Sequence, residues 1–69
     1  MAVFIIQNQL DLYLDKHQNW ISSENKGSIY RTQYHDEALN LLIEINAKDI
    51  NIRGKILEVE LDEKQQPKI

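Results

Sequence analysis

"YRTQYHDEALNLLIE", residues Tyr30 to Glu44, holds a histidine, three acids and a run of aliphatics, and the fold turns on it. On a wheel of about 100° per residue, Tyr34, Ala38, Leu41, Leu42 and Ile45 fall in one stripe at i, i+4, i+7, i+8 and i+11, the pattern of a helix face turned toward a core. The spacing predicts a helix from Asp36 to about Ala47. Either Thr32 or Asp36 can serve as its N-cap, and Asp36 and Glu37 meet the positive end of its dipole. Asn40 and Glu44 face water on this wheel. Leu39 and Ile43 lie on the flank of the stripe and widen the apolar arc to roughly half the circumference, beyond the ~100° that packing on one sheet requires.

The acid-rich first turn is also the best chemistry the chain offers. A metal site at His35, Asp36 and Glu37 would need convergence with His17 or another acid, yet residues at i, i+1 and i+2 point in different directions on a helix. Helix physics selects such a turn without any ligand. Serines 22, 23 and 28 have no G-x-S-x-G elbow around them, and there is no cysteine to replace them. Asp11 with Asp15, and Glu58 with Glu60, read as the wet sides of alternating strands. Gly27 and Gly54 are isolated, so no phosphate-cradling loop is present. The expectation is a protein that is not an enzyme, with no catalytic, cofactor-binding or metal-ligating residues and no cofactor.

Upstream of the helix, Ala2 to Gln7, "AVFIIQ", is β-branched and aromatic, and apolar at both parities, which predicts a central strand covered on both faces. "LDLYLD" alternates Leu10, Leu12 and Leu14 with Asp11, Tyr13 and Asp15, a strand with one wet face. "KHQN" (Lys16 to Asn19) reads as a tight turn and "WISS" as a short third strand. "ENKG" (Glu24 to Gly27) reads as a turn with Gly27 available for a positive φ, before "SIYRT" as a fourth strand.

Downstream, "INIRGKILEVELDE" puts Ile50 and Ile52 on one parity and Leu57, Val59 and Leu61 on the other. A strand from about Ile50 with a bulge at Gly54 explains the phase change, and poor helix formers at Asn46, Asp49 and Asn51 favour it. The rival reading continues the helix to Arg53 and uses Gly54 as its C′ residue. The last residues, "EKQQPKI", are polar and expected to fray. The fold class is therefore α+β, two-layer: an antiparallel β-meander with one helix packed on the sheet and a C-terminal strand, in the order β-β-β-β-α-β. It makes one domain over residues 1–62, with 63–69 as a polar tail.

At 69 residues the chain is near the size where only about 60% of the unfolded surface can be buried and stability is marginal. It has no cysteine and only two distant histidines, so neither disulfides nor a metal can staple it, and oligomerisation remains. The opening "MAVFIIQNQ" lacks a basic n-region and reads as a strand rather than a signal peptide. No segment approaches the roughly 20 apolar residues of a membrane span, and a cytoplasmic location is expected. A formal charge of −3, with both signs mixed along the chain, disfavours duplex DNA and anionic lipid as partners.

An alternative is a stacking platform for single-stranded nucleic acid built on Trp20, Tyr30 and Arg31, with Tyr13, Tyr34 and Lys26 nearby. The acids beside Tyr13 would repel a phosphate backbone. A domain this small, moreover, needs Trp20 and Tyr34 in its core. The apolar surplus points elsewhere, to a homodimer or a small protein partner, with Leu39, Ile43, Phe4 and Ile6 as the candidate interface.

The layout "FIIQ…LYL…W…G-SIYRT…DEALNLL" resembles that of small uncharacterised bacterial and phage-type α+β proteins, in which a meander with "Y-x-L…W" leads into "x-x-T" and a helix opened by "EA". Tyr13, Leu14, Trp20, Tyr30, Thr32, Glu37 and Ala38 carry the likeness over about the first two-thirds of the chain. Three residues stand between Thr32 and Asp36, a departure that leaves the helix start open. The resemblance implies a fold and no activity.

Overall fold

Strand β1 (Ala2–Gln7) is the interior strand that its two-sided apolar pattern predicts. A computed structural model describes residues 2–69. In it β1 runs antiparallel to β2 (Tyr13–Leu14) on one edge and to β4 (Lys55–Glu60) on the other, while β3 (Trp20–Ile21) pairs with β2. The sheet order is β3-β2-β1-β4, and the single helix α1 (His35–Lys48) packs on it, so the α+β class stands. Along β1 and β4 the register sets Val3 against Val59 and Ile5 against Leu57 on one face, and Ile6 against Ile56 on the other.

Alternation along β1 sends Ile5 and Ile6 to opposite faces, and both are completely enclosed. Ile6 packs with Leu14 and Ile45 under α1, bordered by Trp20, Leu41, Leu42 and Ile52. Ile5 packs with Tyr13 and Ile29 on the far face, bordered by Ile21, Leu57 and Val59. The domain thus has two small cores with β1 between them. Tyr13, expected beside Asp11 and Asp15 on a wet face, belongs to the far core, and Gln7 Nε2 donates to its hydroxyl at 3.3 Å.

The meander differs from the alternation reading because turns consume more of the chain than the leucine spacing suggests. Three loops have the same construction. In Asn8–Leu12 the amides of Leu10 and Leu12 donate to Asn8 Oδ1 at 2.9 and 3.0 Å, and the ends are joined by the Asn8 amide donating to the Leu12 carbonyl at 2.9 Å. In Asp15–Asn19 the amides of His17 and Asn19 donate to Asp15 Oδ1 at 2.8 and 2.7 Å. In Asp62–Gln66 those of Lys64 and Gln66 donate to Asp62 Oδ1 at 2.8 and 2.9 Å. Each side-chain oxygen replaces the water that two loop amides would otherwise need. The fourth residue of each loop, Asp11, Gln18 or Gln65, has a φ of 61°, 64° or 62°. This is a three-residue hairpin closed by a left-handed residue, a position that glycine fills without steric cost. Gly27, by contrast, has no positive φ.

Several expected boundaries move accordingly. Of "LDLYLD" only Tyr13–Leu14 is strand, since the Asn8 loop takes the preceding residues. "SIYRT" is not a fourth strand; it follows a kinked 3₁₀ helix (Ser23–Ser28) and joins the sheet through two isolated bridges, Asp15 with Ile29 and Phe4 with Thr32. It fills the gap where β2 parts from β1. Neither reading of residues 50–53 holds: α1 stops at Lys48, and Asp49 Oδ1 takes the Asn51 amide at 2.9 Å, a local turn that competes with both helix and strand. Gly54 then passes so close to the helix that a Cβ would lie 2.7 Å from Leu42 Cδ1. Residues 63–69, expected to fray, fold back instead. Pro67 is buried and bridges Leu61, and the Lys68 amide donates to the Glu60 carbonyl at 2.8 Å.

The left-handed positions yield a stability test. Gln18→Gly relieves the Cβ penalty there and is expected to stabilise the fold by about 1 kcal/mol, raising the thermal midpoint by several degrees. Asp15→Ala strips two loop amides of their acceptor and is expected to cost about 2 kcal/mol by chemical denaturation.

Candidate functional site

Helix α1 begins at His35, and its N-terminus is organised from two residues upstream. Tyr34 occupies the cap position with no side-chain bond, while the Thr32 hydroxyl accepts the Tyr34 amide at 3.2 Å and donates to Glu37 Oε2 at 2.7 Å. This is a displaced version of a capping box, with Glu37 tied to a hydroxyl two residues before the cap. Neither expected cap residue, Thr32 or Asp36, occupies the N-cap: Asp36 lies inside the helix, and Thr32 acts from two residues before the cap. His35 stands edge-on to Phe4, ring centroids 5.2 Å apart at 80°. Among the described residues no group of three or more histidine, cysteine or acidic side chains is placed to hold a metal ion. His17 is exposed in the second Asx loop.

Tyr30, Trp20 and Arg31 do not make one surface. Leu14 pairs with Trp20 on one side and accepts the Tyr30 amide on the other, so both aromatics lie on the face that α1 covers. Trp20 borders the core there and is half-buried. Arg31, next in sequence, points to the opposite face by alternation, where its Nη1 is buried without a hydrogen-bond partner. Burial pushes the Tyr30 phenol above its usual range, the Glu37 carboxylate adds to the shift, and the hydrogen bond with Thr32 opposes it.

The remaining candidates are apolar. Ile6 is enclosed and offers no area to a partner, and Phe4 is half-buried against His35. Leu39 and Ile43 are 41% and 59% exposed. On the helix wheel they sit ~120° from the buried line of Ala38 and Ile45, too far round for the sheet to reach. Tyr34, expected in the core stripe, is exposed as well. The surroundings of Leu39 and Ile43 are nearly uncharged: Asn40, Asn46 and Ala47 are exposed beside them, and Asp36 is the one ionised neighbour on that sector. The charged side of the helix carries Glu37, Glu44 and Lys48, with Lys48 Nζ 3.3 Å from Glu44 Oε1.

At the C-terminal end of α1 a second exposed apolar pair appears that the sequence pattern does not indicate. Leu10 and Ile50 are 68% and 90% exposed, and Gln9 brings their loops together. Its Nε2 donates to the Asn51 carbonyl at 2.7 Å, and its Oε1 accepts the Arg53 amide at 2.9 Å. At the other end of the sheet a shallow polar depression over the C-terminal loop is lined by Asp62, Glu63, Lys64 and Gln66. The Gln66 amide chiefly holds the Asp62 carboxyl below the usual carboxylate range, against the opposing effect of desolvation.

No helix among the described residues is long and apolar enough to cross a membrane. No family model, curated protein or solved structure matches the chain. Functional assignment therefore rests on the surface just described.

The Tyr30 cluster gives a pH test. Folding disfavours the phenolate, so the contribution of Tyr30 to stability is present below about pH 10, the ordinary phenol range, and is lost as pH rises through its elevated value. Glu37→Gln removes the neighbouring negative charge and is expected to move the Tyr30 titration toward lower pH, measured by ultraviolet absorbance with Tyr30→Phe as the reference. An unchanged midpoint would refute the coupling.

Proposed function

We propose that this protein acts by binding rather than by catalysis, as a homodimeric module in which two copies meet along the Leu39–Ile43 flank of α1. The observation that carries the reading is the exposure of these two side chains, on a helix sector with no ion pair and one charge. A chain with net charge −3 meets a second copy there without strong repulsion, whereas a charged partner would find little to pair with. A two-fold axis between Leu39 and Ile43 runs the helices antiparallel and sets Asp36 of each copy opposite Asn46 of the other, so the one charge faces an amide and not its twin. Small domains without disulfides or metals gain stability in this way, and two-fold dimers are the commonest assemblies.

The magnitude decides what kind of dimer this is. Together the two side chains leave roughly one aliphatic side chain's surface open per copy, so covering them on both copies contributes about 5 kcal/mol. Association costs about 4–15 kcal/mol in lost freedom, which makes the contact reversible at best. Sedimentation equilibrium is expected to show a mass that rises with concentration toward two copies. Leu39→Asp or Ile43→Asp is expected to hold the protein at the monomer mass with its circular dichroism unchanged, since neither side chain is core. A wild-type protein that remains monomeric at millimolar concentration would overturn the proposal.

A further inference from the structure

The helix flank is too small to hold two copies by itself, and the structure points to the rest of the contact. Leu39 and Ile43 leave roughly 100 Å² of apolar surface open per copy. A specific interface buries about 800 Å² per partner, somewhat more than half of it apolar. Ile50 and Leu10 are the two most exposed large apolar side chains of the described residues, and they would add roughly 150 Å². The four together imply a buried surface of about 900 Å² for the pair of copies, the range of a weak, reversible association.

We infer that the Leu10–Ile50 loop pair, clasped by Gln9, is the second half of the homodimer seam, and that Gln9 is the residue that sets it. This rests on the dimer reading above. Ile50 stands two residues past the end of α1, where Asp49 has left helical geometry, at the end of the helix toward which the Leu39–Ile43 flank runs. Leu10 is brought to that same end by the β1–β4 ladder, which closes at Gln7 and Lys55, and the Gln9 amide then grips the backbone at Asn51 and Arg53. Both loops are braced from within, one by Asn8 Oδ1 and the other by Asp49 Oδ1. Two large aliphatic side chains are thereby displayed on ordered backbone, which lowers the entropy lost when a second copy covers them. In the isolated chain this clasp joins two surface loops on either side of Ile52, which borders the core under α1.

Sedimentation equilibrium on the full chain tests the inference with three variants. Ile50→Asp, at a position with no core contact, is expected to weaken dimerisation about tenfold or more, with circular dichroism and thermal midpoint unchanged. Gln9→Ala is expected to weaken it several-fold, because the loops are then ordered only on association. Leu39→Asp reports on the helix flank alone. If the wild type dimerises and Leu39→Asp abolishes this while Ile50→Asp and Gln9→Ala leave the dissociation constant unaltered, the dimer reading survives and the loop-pair inference is overturned. If the wild type is monomeric at millimolar concentration, both are overturned.

Discussion

The structure depends on burying one strand from both sides. Ile5 and Ile6 are neighbours in β1 and point in opposite directions, so enclosing both requires a cover on each face of the sheet. One face receives α1. The other receives Tyr13, Ile21 and Ile29, supplied by the meander and by the segment that fills the gap between β1 and β2. A chain of 69 residues has little left after meeting this demand, and the far side of the helix remains uncovered.

Connecting such short strands falls to one device used three times. Asn8, Asp15 and Asp62 each gather two loop amides on a single side-chain oxygen. The device tolerates Asp11, Gln18 and Gln65 in a left-handed conformation that would be costly elsewhere, because the surrounding hydrogen bonds over-determine the loop. Its third use turns the last residues back along β4, so that Lys68 pairs with Glu60 on the strand's outer edge. Covering part of an edge strand in this way limits unregulated strand pairing.

Apolar surface is distributed along α1 by the same economy. Ala38 and Ile45 face the sheet, Leu41 and Leu42 border it, and Leu39 with Ile43 lie beyond its reach. Apart from Asp36, the charges of α1 are confined to the sector of Glu37, Glu44 and Lys48. The helix therefore has a core face, a solvated face and a neutral apolar face, and only the third lacks a covering within one chain.

Much of this is present in the order of the residues. The two-sided pattern of "AVFIIQ", the helical stripe from Ala38 to Ile45 and its flank at Leu39 and Ile43 follow from side-chain periodicity, which is a local property. The Asx residues that open the loops do not read as such: Asp15 reads as the wet side of a strand, and the alternation in "LDLYLD" hides the loop that Asn8 opens and makes Tyr13 look solvated. What no local pattern contains is the pairing of Gln9 with backbone 42 and 44 residues away, the return of Pro67 onto Leu61, or the exposure of Ile50. Those depend on which segments the finished sheet brings together. Periodicity states which way a side chain points along its own element, and tertiary packing alone decides whether anything stands there to meet it.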